Sequence, residues 1–241
     1  MYDTKSATLE ARLLQLSQPG RVSYSEALLL QERARDALFS GAGAPTLFLL
    51  QHPPTITLGS AAAEADSPLA PEALRGLGYD VHQTNRGGKA TYHGTGQLVA
   101  YPVLDLAEIA KSNRTPEGCT GAGPSVRTYL RDLEECVLKT LARLGVEGMR
   151  RPGAAGVWVG ERKIASVGVA VRRWVTTHGF ALNVNPDLAL FDVIRPCGFD
   201  PSVMTSVARE GGNVPAWDEL LHITAQEFAA VFGFFIGDAL C

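Results

Sequence analysis

The chain holds four cysteines, Cys119, Cys136, Cys197 and Cys241. Cys197 has the neighbours that suit a nucleophile: it lies between Pro196 and Gly198 in a loop, where side chains reach solvent and backbone amides are free. Cys136 falls on the apolar face of a predicted helix, Cys119 in a polar loop and Cys241 at the chain end, positions without a catalytic context. No Cys-x-x-Cys pair occurs, which argues against a zinc site or a dense disulfide framework. A thiol with an ordinary pKa of about 8.5 is mostly protonated at neutral pH, so a nucleophilic cysteine needs a cation, an imidazole or a helix N-terminus beside it. Lys163, His93 and His178 are the candidates. Lys163 opens KIASVGVAV, whose Ile164, Val167, Val169 and Val171 would surround an ammonium with hydrocarbon, a setting in which lysine can act as base and acid. On the residues alone, Cys197 reads equally as a small buried hydrophobe, and Lys163 as a strand-edge lysine that blocks edge pairing.

A second constellation runs from Arg86-Gly87-Gly88 to Thr91-Tyr92-His93-Gly94. It joins permissive backbone, a fixed cation and an imidazole, which suits close approach to a polar ligand. Taken singly, Gly87-Gly88 is an ordinary turn and His93 an ordinary strand histidine.

These residues need elements to hold them. Ser23 and Glu26 stand at capping-box spacing before Ala27, Leu30, Ala34, Ala37 and Leu38, with Gly41 as a stop, which predicts an amphipathic helix. TLFLLQ (46–51) and TITLG (55–59) read as strands separated by Pro53-Pro54, YDVHQ (79–83) as another, and KATYHGTGQLVAYPVL (89–104) as a strand pair. Residues 60–78 read as a small helical stretch with turns, and 111–123 as a polar surface loop. Ser125 caps a predicted helix carrying Val126, Leu130, Leu133, Val137, Leu141 and Leu144, ended by Gly145. Consecutive strands are expected over 156–184, turning at 160–162 and at Trp174. Thr224 and Glu227 predict a second capping box opening a C-terminal helix. Without regular βαβ alternation, the pattern favours an α+β fold, helices packed on one mixed β-sheet, in a single domain spanning 1–241.

Forty-six per cent hydrophobic residues allow a sizeable core. No apolar run reaches bilayer length, and the N-terminus lacks a basic-then-apolar leader, so a cytoplasmic protein that does not engage a membrane is expected. A net charge of −3 gives no general attraction to nucleic acid. Arg150-Arg151 and Arg172-Arg173 are small basic groupings suited to an acidic protein partner, or simply solvated.

Three ordered motifs, RGGKATYHGTGQLVAYPVLDL (86–106), GVWVGERKIASVGVAVRRWVTTHGFALNV (156–184) and the Asp192–Gly198 run ending Arg195-Pro196-Cys197-Gly198, together resemble the lipoyl (octanoyl) transferase family. The resemblance implies the biotin/lipoate protein-ligase fold and transfer of an octanoyl group from acyl carrier protein to apo-lipoyl domains. Those acceptors belong to 2-oxoacid dehydrogenase complexes and the glycine cleavage H protein. It places the acyl thioester on Cys197, with Lys163 tuning it. It places substrate contacts at Arg86, Gly87, Gly88, Lys89, Ala90, Thr91, Tyr92 and His93, at Ser166, Val167 and Gly168, and at Gly179, Phe180 and Ala181. Thr95 replaces the family's usual proline, and Thr177 an aromatic commonly found before His178.

The mechanism so implied needs neither ATP nor a metal, because the donor's phosphopantetheine thioester is already activated. Six buried methylenes at about 0.8 kcal/mol each would give roughly 5 kcal/mol of binding, and rejection of longer chains would require a blind tunnel. The rival expectations are an ATP-dependent lipoate or biotin ligase on the same fold, a cysteine acyl hydrolase pairing Cys197 with His93 or His178, and a binding protein without chemistry.

Overall fold

The computed structural model describes residues 12–111 and 123–237, so Cys119, Cys241 and all but the ends of the 111–123 segment lie outside the described residues. In chain order the elements are β1 (Arg12–Arg21), α1 (Tyr24–Phe39), β2 (Thr46–Gln51), β3 (Thr55–Leu58), α2 (Pro71–Gly76), β4 (Asp80–Gln83), β5 (Ala90–His93) and β6 (Gln97–Val103). There follow α3 (Leu106–Lys111), α4 (Val126–Arg143), β7 (Met149–Arg151), β8 (Ala154–Val159), β9 (Arg162–Arg172), β10 (Val175–Asn183), α5 (Trp217–Phe232) and β11 (Phe234–Ile236).

Eight strands form one sheet in the order β11-β1-β2-β6-β10-β9-β8-β7, and β4-β3-β5 form a second, smaller one. Both are mixed: β1 runs parallel to β2 and β11, and β3 parallel to β4, while the remaining pairs are antiparallel. The β9–β10 hairpin carries the site. Its register pairs Val175 with Arg172, Gly179 with Gly168 and Ala181 with Ser166. At its turn Arg173 and Trp174 both take positive φ, 50° and 66°, the twist that a two-residue hairpin connection requires.

The helices divide between the two faces of the large sheet instead of sharing one. On one face Leu133, Val137 and Leu141 of α4 pack with Leu220 and Phe228 of α5 against Leu98, Ala165 and Leu182. On the other, Ala27, Leu30 and Leu38 of α1 meet Phe48, Tyr101 and Ala181. A third cluster sits under the small sheet, where Ile56, Ala90 and Tyr92 bury Phe191, Ile194 and Met204. That cluster pins the loop leading to Cys197.

Ser23 caps α1 with both hydrogen bonds of the capping box in place, and Ser125 caps α4. The expected box at Thr224 is not one. α5 begins at Trp217, seven residues earlier, with Asp218 and Glu219 in its first turn, where acidic groups complement the helix dipole. Thr224 is therefore interior to the helix, and its hydroxyl is buried without a partner. The chain also continues past that helix into β11. β1, β7 and β11 complete the edges of the large sheet and were not anticipated. Two of them are three residues long, and β1 contains Pro19-Gly20, with a register shift between Ser17 and Gly20.

Candidate active site

Lys163 and Cys197 meet. The Nζ of Lys163 donates to Cys197 Sγ at 3.0 Å, although the two are 34 residues apart in sequence. Lys163 is 1% exposed and lies inside β9, paired with Trp158 of β8 rather than standing at a sheet edge. Its backbone carbonyl is held by the Thr205 N–H at 2.9 Å. No imidazole among the described residues is hydrogen-bonded to the sulfur, which does not fit a Cys–His hydrolase pair.

Cys197 occupies a short 3₁₀ turn, Pro196–Gly198, with φ 55° and ψ 23°. A non-glycine residue in the left-handed region costs about 1–3 kcal/mol, a strain that persists where surrounding contacts enforce it. The enforcing contacts centre on Asp66. Its backbone carbonyl accepts from Arg195 N at 2.9 Å, and its carboxylate, 3% exposed, pairs with Lys89 Nζ at 3.1 Å. A Cβ on Gly198 would lie 2.9 Å from that same Nζ. The turn is thus clamped from both sides.

Arg86 is buried and fully engaged. It donates to Thr57 Oγ1 at 2.7 and 3.2 Å, Thr57 O at 2.8 Å, Lys89 O at 2.9 Å and Gly87 O at 3.2 Å. Its role is to shape the Gly-rich loop while keeping a positive charge near Cys197, and burial lowers its pKa from the ordinary value. Gly87 N donates to Val169 O at 2.9 Å, stitching the loop onto β9. A Cβ on Gly168 would come within 2.9 Å of Gly87 O, so glycine there is required by the loop's approach before any ligand arrives.

Between loop and hairpin lies a cleft enclosing about 450 Å³ of open space, mouth included. Of the residues expected at a substrate site, Arg86, Gly88, Thr91, His93, Ser166, Val167, Gly168, Gly179, Phe180, Ala181 and Cys197 line it. Gly87, Lys89, Ala90 and Tyr92 do not. The period-two alternation of β5 sends Thr91 and His93 to the cleft, and Ala90 and Tyr92 into the core beneath. Gly87 is spent on the bond to β9, and Lys89 on Asp66. Val167 and Phe180 border the cleft while packing into the main core. The departures are placed as well: Thr95 is exposed between β5 and β6, within 3.4 Å of Arg21, and Thr177 is buried in β10 opposite Ala170.

Tyr24, Tyr101 and His178 complete the lining, and the two tyrosines were not foreseen. They belong to a buried cluster with His52, His93 and His178. His52 Nδ1 donates to Val22 O at 2.8 Å, leaving Nε2 to accept from Tyr101 at 2.9 Å. His178 Nε2 donates to Asn85 Oδ1 at 3.0 Å, leaving Nδ1 to accept from Tyr24 at 3.4 Å. His93 Nδ1 donates to Gln97 Oε1 at 2.8 Å. Gln97 Nε2 in turn reaches Asn183, whose amide holds Thr205 O at 2.9 Å, on the residue that anchors the backbone of Lys163. Burial drives His52 and His178 down to about 4, with Arg86 reinforcing the effect at His178. Burial likewise holds His93 well below its ordinary value and raises Tyr24 to about 12. At neutral pH this part of the lining is polar yet uncharged. Residue types alone do not announce this arrangement, and the positive φ of His178, 58° in mid-strand, is a property of the folded chain.

Residues 23–229 match the family described as the lipoyl protein ligase A/B catalytic domain. The octanoyltransferase of Acidobacterium capsulatum is 42% identical over 229 residues, 92% of this chain and 91% of that protein. The octanoyltransferase of Geotalea uraniireducens is 42% identical over 216 residues, covering 89% and 90%. Among solved structures, lipoate-protein ligase A bound with ATP superimposes with a TM-score of 0.71 at 17% identity, over 96% of this chain and 90% of that one. The bipartite lipoate protein ligase of Thermoplasma acidophilum gives 0.65 at 18% identity, over 96% and 88%. At these identities the structures establish the shared fold.

Proposed function

This chain belongs to the lipoyl protein ligase A/B catalytic-domain family, and we infer from its octanoyltransferase relatives that it is an acyltransferase placing octanoyl groups on lipoyl-domain proteins during protein lipoylation. The observation that carries the chemistry is the 3.0 Å contact between Lys163 Nζ and Cys197 Sγ at the cleft. In our reading Lys163 takes the thiol proton and the Cys197 thiolate attacks the thioester carbonyl of octanoyl-acyl carrier protein. The carbon–sulfur bond to phosphopantetheine breaks, and the departing thiolate receives the proton from Lys163. A lysine of the acceptor then attacks the Cys197 acyl-enzyme, forming an amide and returning the thiol.

Exchange of one thioester for another is nearly isoenergetic, whereas amide formation from a thioester is downhill, so the cycle requires no ATP and no metal. The charge of Arg86, close to Cys197, favours the anionic states of both half-reactions. The small side chains of Ser166 and Ala181 and the bare backbone of Gly168 and Gly179 give the acyl chain a smooth floor. We propose the acceptors as the lipoyl domains of 2-oxoacid dehydrogenase complexes and the glycine cleavage H protein, and the setting as cytoplasmic, with the chain working as one catalytic domain. Among the described residues no helix is long and apolar enough to cross a membrane.

The test is intact-mass spectrometry of the protein incubated with octanoyl-acyl carrier protein, without ATP or acceptor. An octanoyl adduct removed by hydroxylamine and absent from Cys197→Ser supports the thioester route. Transfer that persists in Cys197→Ser and requires ATP replaces it with adenylation, and acyl release without acceptor replaces it with hydrolysis.

A further inference from the structure

Trp158 is buried, with 0% exposure, and its indole is fixed on all sides. Nε1 donates to Ala154 O at 3.1 Å, Phe199 meets the ring edge-on with centroids 5.3 Å apart, and the guanidinium of Arg151 stands 5.0 Å from the centroid. The Nζ of Lys163 lies 5.7 Å from the same centroid, while its other near neighbour is the sulfur of Cys197. The hydrocarbon stem of Lys163 is located from the opposite direction. Gly156 adopts φ +114°, and a Cβ there would sit 2.8 Å from Lys163 Cε. The lysine therefore reaches the sulfur through a slot whose walls are a glycine backbone and an aromatic face.

We propose that Trp158 is the positioning residue of the acyl-transfer centre, its π face holding the Lys163 ammonium against Cys197. The proposal rests on the reading of Cys197 and Lys163 as the reacting pair. A buried ammonium needs an electron-rich surface wherever no carboxylate neutralises it, and an indole face is the strongest that an uncharged side chain offers. The nearby carboxylate of Asp66 is committed to Lys89. The Glu134 carboxylate, which accepts from Gly156 N at 3.0 Å, is paired with Arg150, and the cations Arg86, Lys89 and Arg151 near the pair favour the thiolate but repel the ammonium. Trp158 offsets that repulsion without supplying a base that would compete for the thiol proton.

Fluorination of the indole tests this without altering shape, because it drains the π face while leaving the ring's size nearly unchanged. The protein is made as Trp174→Phe/Trp217→Phe, so that Trp158 is the only tryptophan of the three, with tryptophan or its mono-, di- or trifluoro analogue incorporated. The readouts are the pH profile of Cys197 alkylation by iodoacetamide, and kcat and KM for octanoyl transfer. The expected result is a graded fall in alkylation rate at pH 7 and in kcat, about tenfold by the trifluoro analogue (about 1.4 kcal/mol), with KM for the donor within about twofold. Trp158→Phe retains most of the rate, and Trp158→Leu falls below the whole series. An unchanged rate and pH profile across the series, with Cys197→Ser inactive, overturns the role of Trp158 alone. A Cys197→Ser protein that still transfers octanoyl overturns both this role and the thioester mechanism.

Discussion

Lowering the pH from 7 to 5 should remove several kcal/mol of folding stability through the imidazole cluster beside the cleft. His52 and His178 have folded-state pKa values of about 4, against about 6.5 in the unfolded chain. A depressed histidine means that the unfolded state binds the proton more readily. Stability is then fully present above pH 6.5 and is lost as the pH falls through 6.5 towards 4. At pH 5 a group shifted in this way has lost about 2 kcal/mol relative to pH 7, so the pair should account for about 4 kcal/mol. His93 adds in the same direction. A domain with roughly 5–15 kcal/mol of stability is left marginal by that loss. Urea unfolding followed by tryptophan fluorescence at half-unit pH steps measures it directly. His178→Asn should remove about half of the dependence. A stability that changes by less than about 1 kcal/mol between pH 7 and 5 would refute the burial argument. Carboxylates held below their ordinary range, such as Glu210 by its bond with Arg162, lose their contribution only at lower pH, so the two windows separate.

Gly156→Ala should place a methyl 2.8 Å from Lys163 Cε and 2.3 Å from Ala165 O, in a backbone region that alanine avoids. Displacing the lysine by about 1 Å should cost about a hundredfold in transfer rate, read by steady-state kinetics beside a melting curve. Ala181→Leu adds three carbons to the cleft floor and should exclude about as many methylenes of substrate. At about 0.8 kcal/mol each that is roughly a fiftyfold loss for octanoyl, with butanoyl transfer little changed. Gln97→Leu should strip partners from His93 and Asn183 and destabilise the fold by about 2–4 kcal/mol, with unaltered urea midpoints as the contrary result.

Legibility in the sequence followed the range of the interactions. α1 and α4 were readable because Ser23 and Ser125 cap within their own first turns, and β2, β3 and the β9–β10 hairpin because apolar residues and turn signals lie within a few positions of one another. The start of α5 was misplaced for the complementary reason. Thr224 and Glu227 have capping-box spacing by chance, and tertiary packing of Leu220, Leu221 and Phe228 extends the helix past them. Short edge strands such as β7 and β11 carry too few residues to show a period at all.

The site divides along the same line. Cys197, Lys163 and the Gly-rich loop were recognisable through motifs, but residue types left both catalytic candidates with plain structural readings. What removes those readings is contact across the fold: Lys163 lies in a sheet interior with its ammonium on the sulfur, and Cys197 is held in a left-handed turn by Asp66, more than a hundred residues away in sequence. Partners such as Trp158, Tyr24 and Tyr101 look like ordinary core aromatics in any local window, since their function consists only of what they face. A motif can thus name the reacting atoms, while the groups that orient them are selected by topology. Substitutions at Trp158, Gly156 and Gln97 should therefore alter chemistry or stability although Lys163-Ile164 and Pro196-Cys197-Gly198 themselves remain unchanged.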